Sequence, residues 1–149
     1  MIPLPAAGTL LSELRIGASI DEIARATSWL GALAEAGDWP QSVRFGLELS
    51  LEEALTNVVS YGFAGVDHAP DIRIECWRTP QGRIAVRIRD NGVAFDPTQI
   101  AEPEVPASIE EAKIGGHGVQ LMRNFLESLS YERAGGENRL TLVGKADEG

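Results

Sequence analysis

Glu53 and Asn57 stand four residues apart, a spacing that sets a carboxylate and an amide on one side of a helix. Facing a ligand, Glu53 can take a proton from a hydroxyl or a water, and Asn57 can lend its carbonyl oxygen to Mg²⁺. As an isolated pair they read more readily as solvated surface groups. Asp90-Asn91-Gly92 ends a run in which Ile84, Val86 and Ile88 alternate, so Asp90 falls on the apolar side of that strand. A carboxylate placed there needs a donor, because burying it unpaired is costly. The amino group of an adenine is one such donor, and Gly92 lets a ring come close to the backbone. A plain Asp-Asn-Gly turn is the alternative. Gly115-Gly116-His117-Gly118 directly precedes an apolar-periodic run. The start of a helix offers free N–H groups and the positive end of its dipole, which suits phosphates; a flexible glycine joint is the competing reading. Together the three segments supply what an Mg-nucleotide site needs, and ATP is the first ligand to consider.

These residues need elements to hold them. Leu10 to Ile16 alternates weakly, as a strand does. Ser19-Ile20-Asp21-Glu22 fits a capping box, with Glu22 reaching back to Ser19. Ile20, Ile23, Ala24, Thr27, Leu30 and Ala34 follow at helical spacing, and Gly37 ends the run. Pro40 starts a second helix to about Ser60, with Leu47, Leu51, Ala54, Leu55 and Val58 as its apolar stripe. Gly46 and Ser50 share the side of Glu53 and Asn57, leaving a strip of little bulk where a ligand can approach.

From Asp71 the period becomes two, through Ile72, Ile74 and Cys76, and a turn at Pro80-Gln81-Gly82 leads into the strand that ends at Asp90. A polar stretch from about Asn91 to Ile114 is long enough for a functional loop. Val119, Leu121, Met122, Phe125, Leu126 and Leu129 space as a third helix. Ser130 to Arg133 and Arg139 to Lys145 close a hairpin around Gly135-Gly136. The expected fold is α+β, a two-layer α/β sandwich with helices on one face of a mostly antiparallel sheet.

Composition narrows the function. At 149 residues with 44% hydrophobic side chains, the chain reads as one globular domain. A net charge of −9 argues against nucleic-acid binding, which requires clustered cations. One cysteine, Cys76, rules out an internal disulfide and suits a reducing, cytoplasmic setting. No apolar run is long enough to span a membrane. His117 has only His68 as a possible companion ligand, so it is read as a loop residue lending its backbone N–H. Trp29, Trp39 and Trp77 are assigned to packing.

The order Glu53-x3-Asn57, then Asp90-x-Gly92 with Phe95-Asp96-Pro97, then Gly116-x-Gly118, resembles the N, G1 and G2 boxes of the Bergerat-fold (GHKL) ATPases, which include gyrase and the histidine kinases. The similarity is closer to the bacterial anti-sigma factors that are also serine kinases, extending to Glu53-Ala54-Leu55-Thr56-Asn57 and Met122-Arg123-Asn124-Phe125-Leu126. The resemblance implies that Glu53 is the catalytic base, Asn57 the Mg²⁺ ligand and Asp90 the reader of the adenine amino group, with Thr141 helping through water. It implies that Gly116, His117, Gly118 and Val119 wrap the phosphates, that residues 98–114 form an ATP lid, and that residues 1–149 are a single kinase domain. The implied partners are a STAS-type anti-sigma factor antagonist, phosphorylated on serine, and a sigma factor held in alternation, with homodimerisation common in the branch. Two positions depart from the pattern. Ala94 replaces a second glycine of G1, and Ile114 stands where a basic residue often faces the γ-phosphate, with Lys113 one position earlier. The alternative is a nucleotide-binding regulatory module that switches partners without phosphotransfer.

Overall fold

A computed structural model describes residues 8–99 and 122–145. Strand β1 (Thr9–Ile16) leads into helices α1 (Ile20–Ala36) and α2 (Gln41–Tyr61), then strands β2 (Ile72–Arg78), β3 (Ile84–Asp90), β4 (Leu126–Ala134) and β5 (Glu137–Gly144). The strands form one sheet in the order β1-β2-β3-β5-β4, every neighbouring pair antiparallel. Both helices contribute to the apolar core with one face of this sheet: Leu30, Leu47, Leu51 and Leu55 are buried there with Ile72, Ile74, Val86, Ile88 and Leu142. This is the two-layer sandwich that the periodicities predict.

Local details differ in instructive ways. Ser19 takes the extended N-cap conformation, but its side chain makes no cap hydrogen bond. The Glu22 carboxylate reaches past it and accepts from the Gly17 N–H at 3.0 Å, so the expected capping box is replaced by a wider loop closure. The third helix is a correction. Residues 122–125 are helical, yet Leu126 and Leu129 belong to β4, where Leu129 pairs with Leu142. An i, i+3 repeat across a helix–strand junction imitates one continuous helix. The hairpin at Gly135-Gly136 is present, and both glycines have positive φ, 59° and 78°, as the tightest hairpin turns require.

The outer face of the sheet carries a row of like charges. Arg15, Arg73, Arg89 and Arg139 are successive register partners on β1, β2, β3 and β5. Such neighbours repel unless balanced. Asp71 pairs with Arg15 and Arg73, Glu75 with Arg89, and Glu137 with both Arg89 and Arg139. The two sheet edges share another feature: β1 is irregular between Leu10 and Ser12, and β4 between Leu126 and Ser128.

Candidate nucleotide site

Strict alternation along β3 carries Asp90 onto the helix side of the sheet, in line with Ile84, Val86 and Ile88. There it is 5% exposed and borders a pocket with Asn57 and Ala54 of α2, Val93 and Phe95 of the following loop, and Tyr131, Asn138 and Leu140 of the last two strands. The pocket holds about 480 Å³ of empty space, its solvent-open mouth included. Apolar walls with few converging polar groups are what a purine ring requires.

Asp90 is held from two sides. Its Oδ1 accepts from the Gly92 N–H at 2.9 Å and from Nδ2 of Asn138 at 3.0 Å. Both described hydrogen bonds fall on that one oxygen. Burial pushes the carboxyl above its ordinary value, while Asn138, the Gly92 N–H and the charge of Arg133 pull it back part of the way. An acid that binds its proton more tightly folded than unfolded destabilises the folded state once ionised, so its contribution falls as pH rises through the folded-state titration. Asp90→Asn is therefore expected to raise the melting temperature of the nucleotide-free chain by a few degrees at pH 7. The gain should shrink in scans taken at progressively lower pH; a loss of stability at pH 7 would refute this account.

Gly92 has a packing role as well. A Cβ built on it would clash with the Gly62 carbonyl oxygen, so the glycine serves a close approach of the loop to the end of α2. The Val93 N–H donates to that same carbonyl at 2.8 Å. Asn91 is structural as well, its side chain accepting from the Asp71 N–H and donating to the Ala69 carbonyl. The strip of small residues on α2 is also only partly open. Where a Gly46 side chain would begin, the Phe125 carbonyl lies 3.0 Å away, and Ser50 is wholly buried. Access on that side is at Asn57.

Glu53 sits one turn before Asn57 and is half-buried. Burial raises its carboxyl above the ordinary range, and the neighbouring Glu52 adds to the effect. Thr141 is not in the pocket. It pairs with Arg87 across β3 and β5, and its hydroxyl accepts from Nε of Arg87 on the outer face. The residue directly opposite Asp90 is Asn138, three positions earlier and on the helix side. Sequence reasoning missed it because the strand's register, and not its composition, decides which residue meets Asp90. Lys113, Gly116, His117, Gly118, Val119 and most of the 98–114 lid lie outside the described residues; Thr98 and Gln99 belong to a short 3₁₀ turn, Pro97–Gln99.

The model of the histidine kinase-like ATPase domain matches residues 16–143. The chain belongs to that family. It is 41% identical over 115 residues to the serine/threonine-protein kinase BtrW of Bordetella bronchiseptica, spanning 77% of this chain and 80% of that one. The serine-protein kinase RsbW of Listeria monocytogenes is 31% identical over 87 residues, 56% of this chain and 54% of its own length. Among solved structures, the RsbU and RsbW domains of Rv1364c from Mycobacterium tuberculosis share the fold at a TM-score of 0.62 over 90% of this chain and 32% of theirs, with 13% identity. This histidine kinase-like ATPase domain thus stands among the serine-kinase relatives, as the resemblance of its three segments implies. Among its described residues no helix is long and apolar enough to cross a membrane.

Proposed function

We propose that this domain is an ATP-dependent serine kinase and anti-sigma factor of a partner-switching system in the cytoplasm. It phosphorylates a STAS-type antagonist and, when that antagonist is already phosphorylated, holds a sigma factor instead. The observation that carries the reading is the convergence of Asp90 and Asn57 on one apolar pocket, with Glu53 one helical turn away. The 41% identity to a serine/threonine-protein kinase over most of both chains supports the phosphotransfer step.

In this reading Asp90 accepts a hydrogen bond from the adenine amino group. Asn57 holds Mg²⁺, which would neutralise phosphate charge. Glu53 takes the proton of the antagonist's serine as its oxygen attacks the γ-phosphorus and ADP leaves. Gly116, His117, Gly118 and Val119 cradle the phosphates through their N–H groups, Lys113 reaches the γ-phosphate, and residues 98–114 close over the nucleotide.

The test is incubation with labelled ATP, Mg²⁺ and a STAS-type antagonist. Label on an antagonist serine is the expected result, and Asp90→Asn should weaken ATP binding by about 10–100-fold, the value of a hydrogen bond to a charged group. ATP binding with no transfer would leave only the regulatory module. Absence of ATP binding would sink both readings.

A further inference from the structure

Asn138 does more than fill the place opposite Asp90. It is 5% exposed and uses both ends of its amide. Nδ2 donates to Oδ1 of Asp90 at 3.0 Å and to the Val93 carbonyl at 2.8 Å. Oδ1 accepts from the Tyr131 hydroxyl, from Nη1 of Arg133 at 3.2 Å and from the Phe95 N–H at 3.4 Å. Arg133 also donates to the Gly92 carbonyl at 2.9 Å. One side chain therefore ties the carboxylate, the Gly92–Phe95 loop and both strands of the closing hairpin into a single network.

The orientation of this amide is chemically determined. Were it reversed, its oxygen would face the Asp90 carboxylate and the Val93 carbonyl, and its NH₂ group would face the Arg133 guanidinium; all three contacts would be repulsive. With Oδ1 of Asp90 receiving both Asn138 and the Gly92 N–H, the oxygen that the described residues leave to meet a ligand is Oδ2. An ionised carboxylate is acceptor-only, so Oδ2 selects a donor. An adenine presents an amino group at its 6-position; hypoxanthine and guanine present a carbonyl oxygen there, which faces a carboxylate unfavourably.

We propose that Asn138 is a positioning residue for nucleobase selection, holding Asp90 as a fixed acceptor that distinguishes a 6-amino from a 6-oxo purine. The proposal rests on the reading that the base amino group is bound at Asp90. It separates two effects that the same side chain produces: clamping the loop, which favours any purine nucleotide, and fixing the acceptor, which favours adenine alone. Asn138 also opposes the upward pull of burial on the Asp90 carboxyl, together with the Gly92 N–H and Arg133 and against Glu137.

The experiment measures equilibrium binding of ATP and of inosine triphosphate, which differs in carrying the 6-oxo group, to the wild-type chain, Asn138→Ala, Asn138→Asp and Asp90→Asn. Asn138→Asp keeps the acceptor for Tyr131, Arg133 and Phe95 but loses the donor to the Val93 carbonyl, so it retains part of the loop's anchoring if the alanine variant fails to fold. It removes the donor and sets a second carboxylate against Asp90, so that the two share a proton and Asp90 ceases to be a pure acceptor. The wild type is expected to prefer ATP by at least about tenfold, and the preference should fall about tenfold in both Asn138 variants, on the scale of a hydrogen bond to a charged group. A clamp alone would weaken both nucleotides together. A wild-type preference that survives unchanged in the folded Asn138 variants would overturn the proposal and leave the adenine reading standing. A wild type without preference, or a preference indifferent to Asp90→Asn, would overturn the adenine reading and the proposal with it.

Discussion

Glu53→Gln is expected to lower serine phosphorylation of the antagonist by about 10²–10⁴-fold, the usual contribution of a positioned general base. ATP affinity should stay nearly unchanged, because the residue acts on the transferred proton rather than on nucleotide binding. The half-buried environment gives this prediction a second readout. Burial, and then the adjacent Glu52, raise the Glu53 carboxyl above its ordinary value. Transfer should therefore rise with pH as that group loses its proton, and the midpoint should move down in Glu52→Gln, which removes the like charge. A Glu53→Gln protein that still phosphorylates at the wild-type rate would exclude Glu53 as the base.

Gly92→Ala should damage the fold itself. Its new methyl group would clash with the Gly62 oxygen and lie 3.0 Å from Oδ1 of Asp90, so neither side can yield without moving backbone or the buried carboxylate. Displacing the loop also breaks the 2.8 Å bond from Val93 to Gly62. Overpacking of this kind costs about 3 kcal/mol. For a chain of this size the loss corresponds to a fall in melting temperature on the order of 10 °C. Calorimetry of the nucleotide-free protein measures it directly; an unchanged transition would mean that the loop accommodates a side chain and that the close approach is not required.

Much of this architecture is legible in the residues. The switch from a period near 3.6 to a period of two separates the helices from the strands. The same alternation that buries Ile84, Val86 and Ile88 places Asp90 on the inner face. What escapes a linear reading depends on pairing between distant segments. Thr141 and Asn138 are equally polar and close in sequence, and only the antiparallel register shows that one meets Arg87 and the other Asp90. Gly92 follows the same logic, since the Gly62 carbonyl that requires it arrives from the end of another element. Likewise, nothing in the spacing of Phe125 reveals that its backbone occupies the place beside Gly46. The Leu126–Leu129 segment misleads because apolar residues three apart fit a helix and also occur across the start of a strand.

The irregularities in β1 and β4 have a consequence for how the protein behaves in a crowded solution. These are the two outer strands of the sheet, each carrying one extra residue, Leu11 or Glu127, against its neighbour. A strand from another molecule laid along either edge would lose its hydrogen-bonding register at that point, and Glu127 is additionally engaged by Arg83. Both borders are thereby poor templates for sheet extension. That guards a protein whose proposed work is repeated exchange of partners against sticking to itself along its edges.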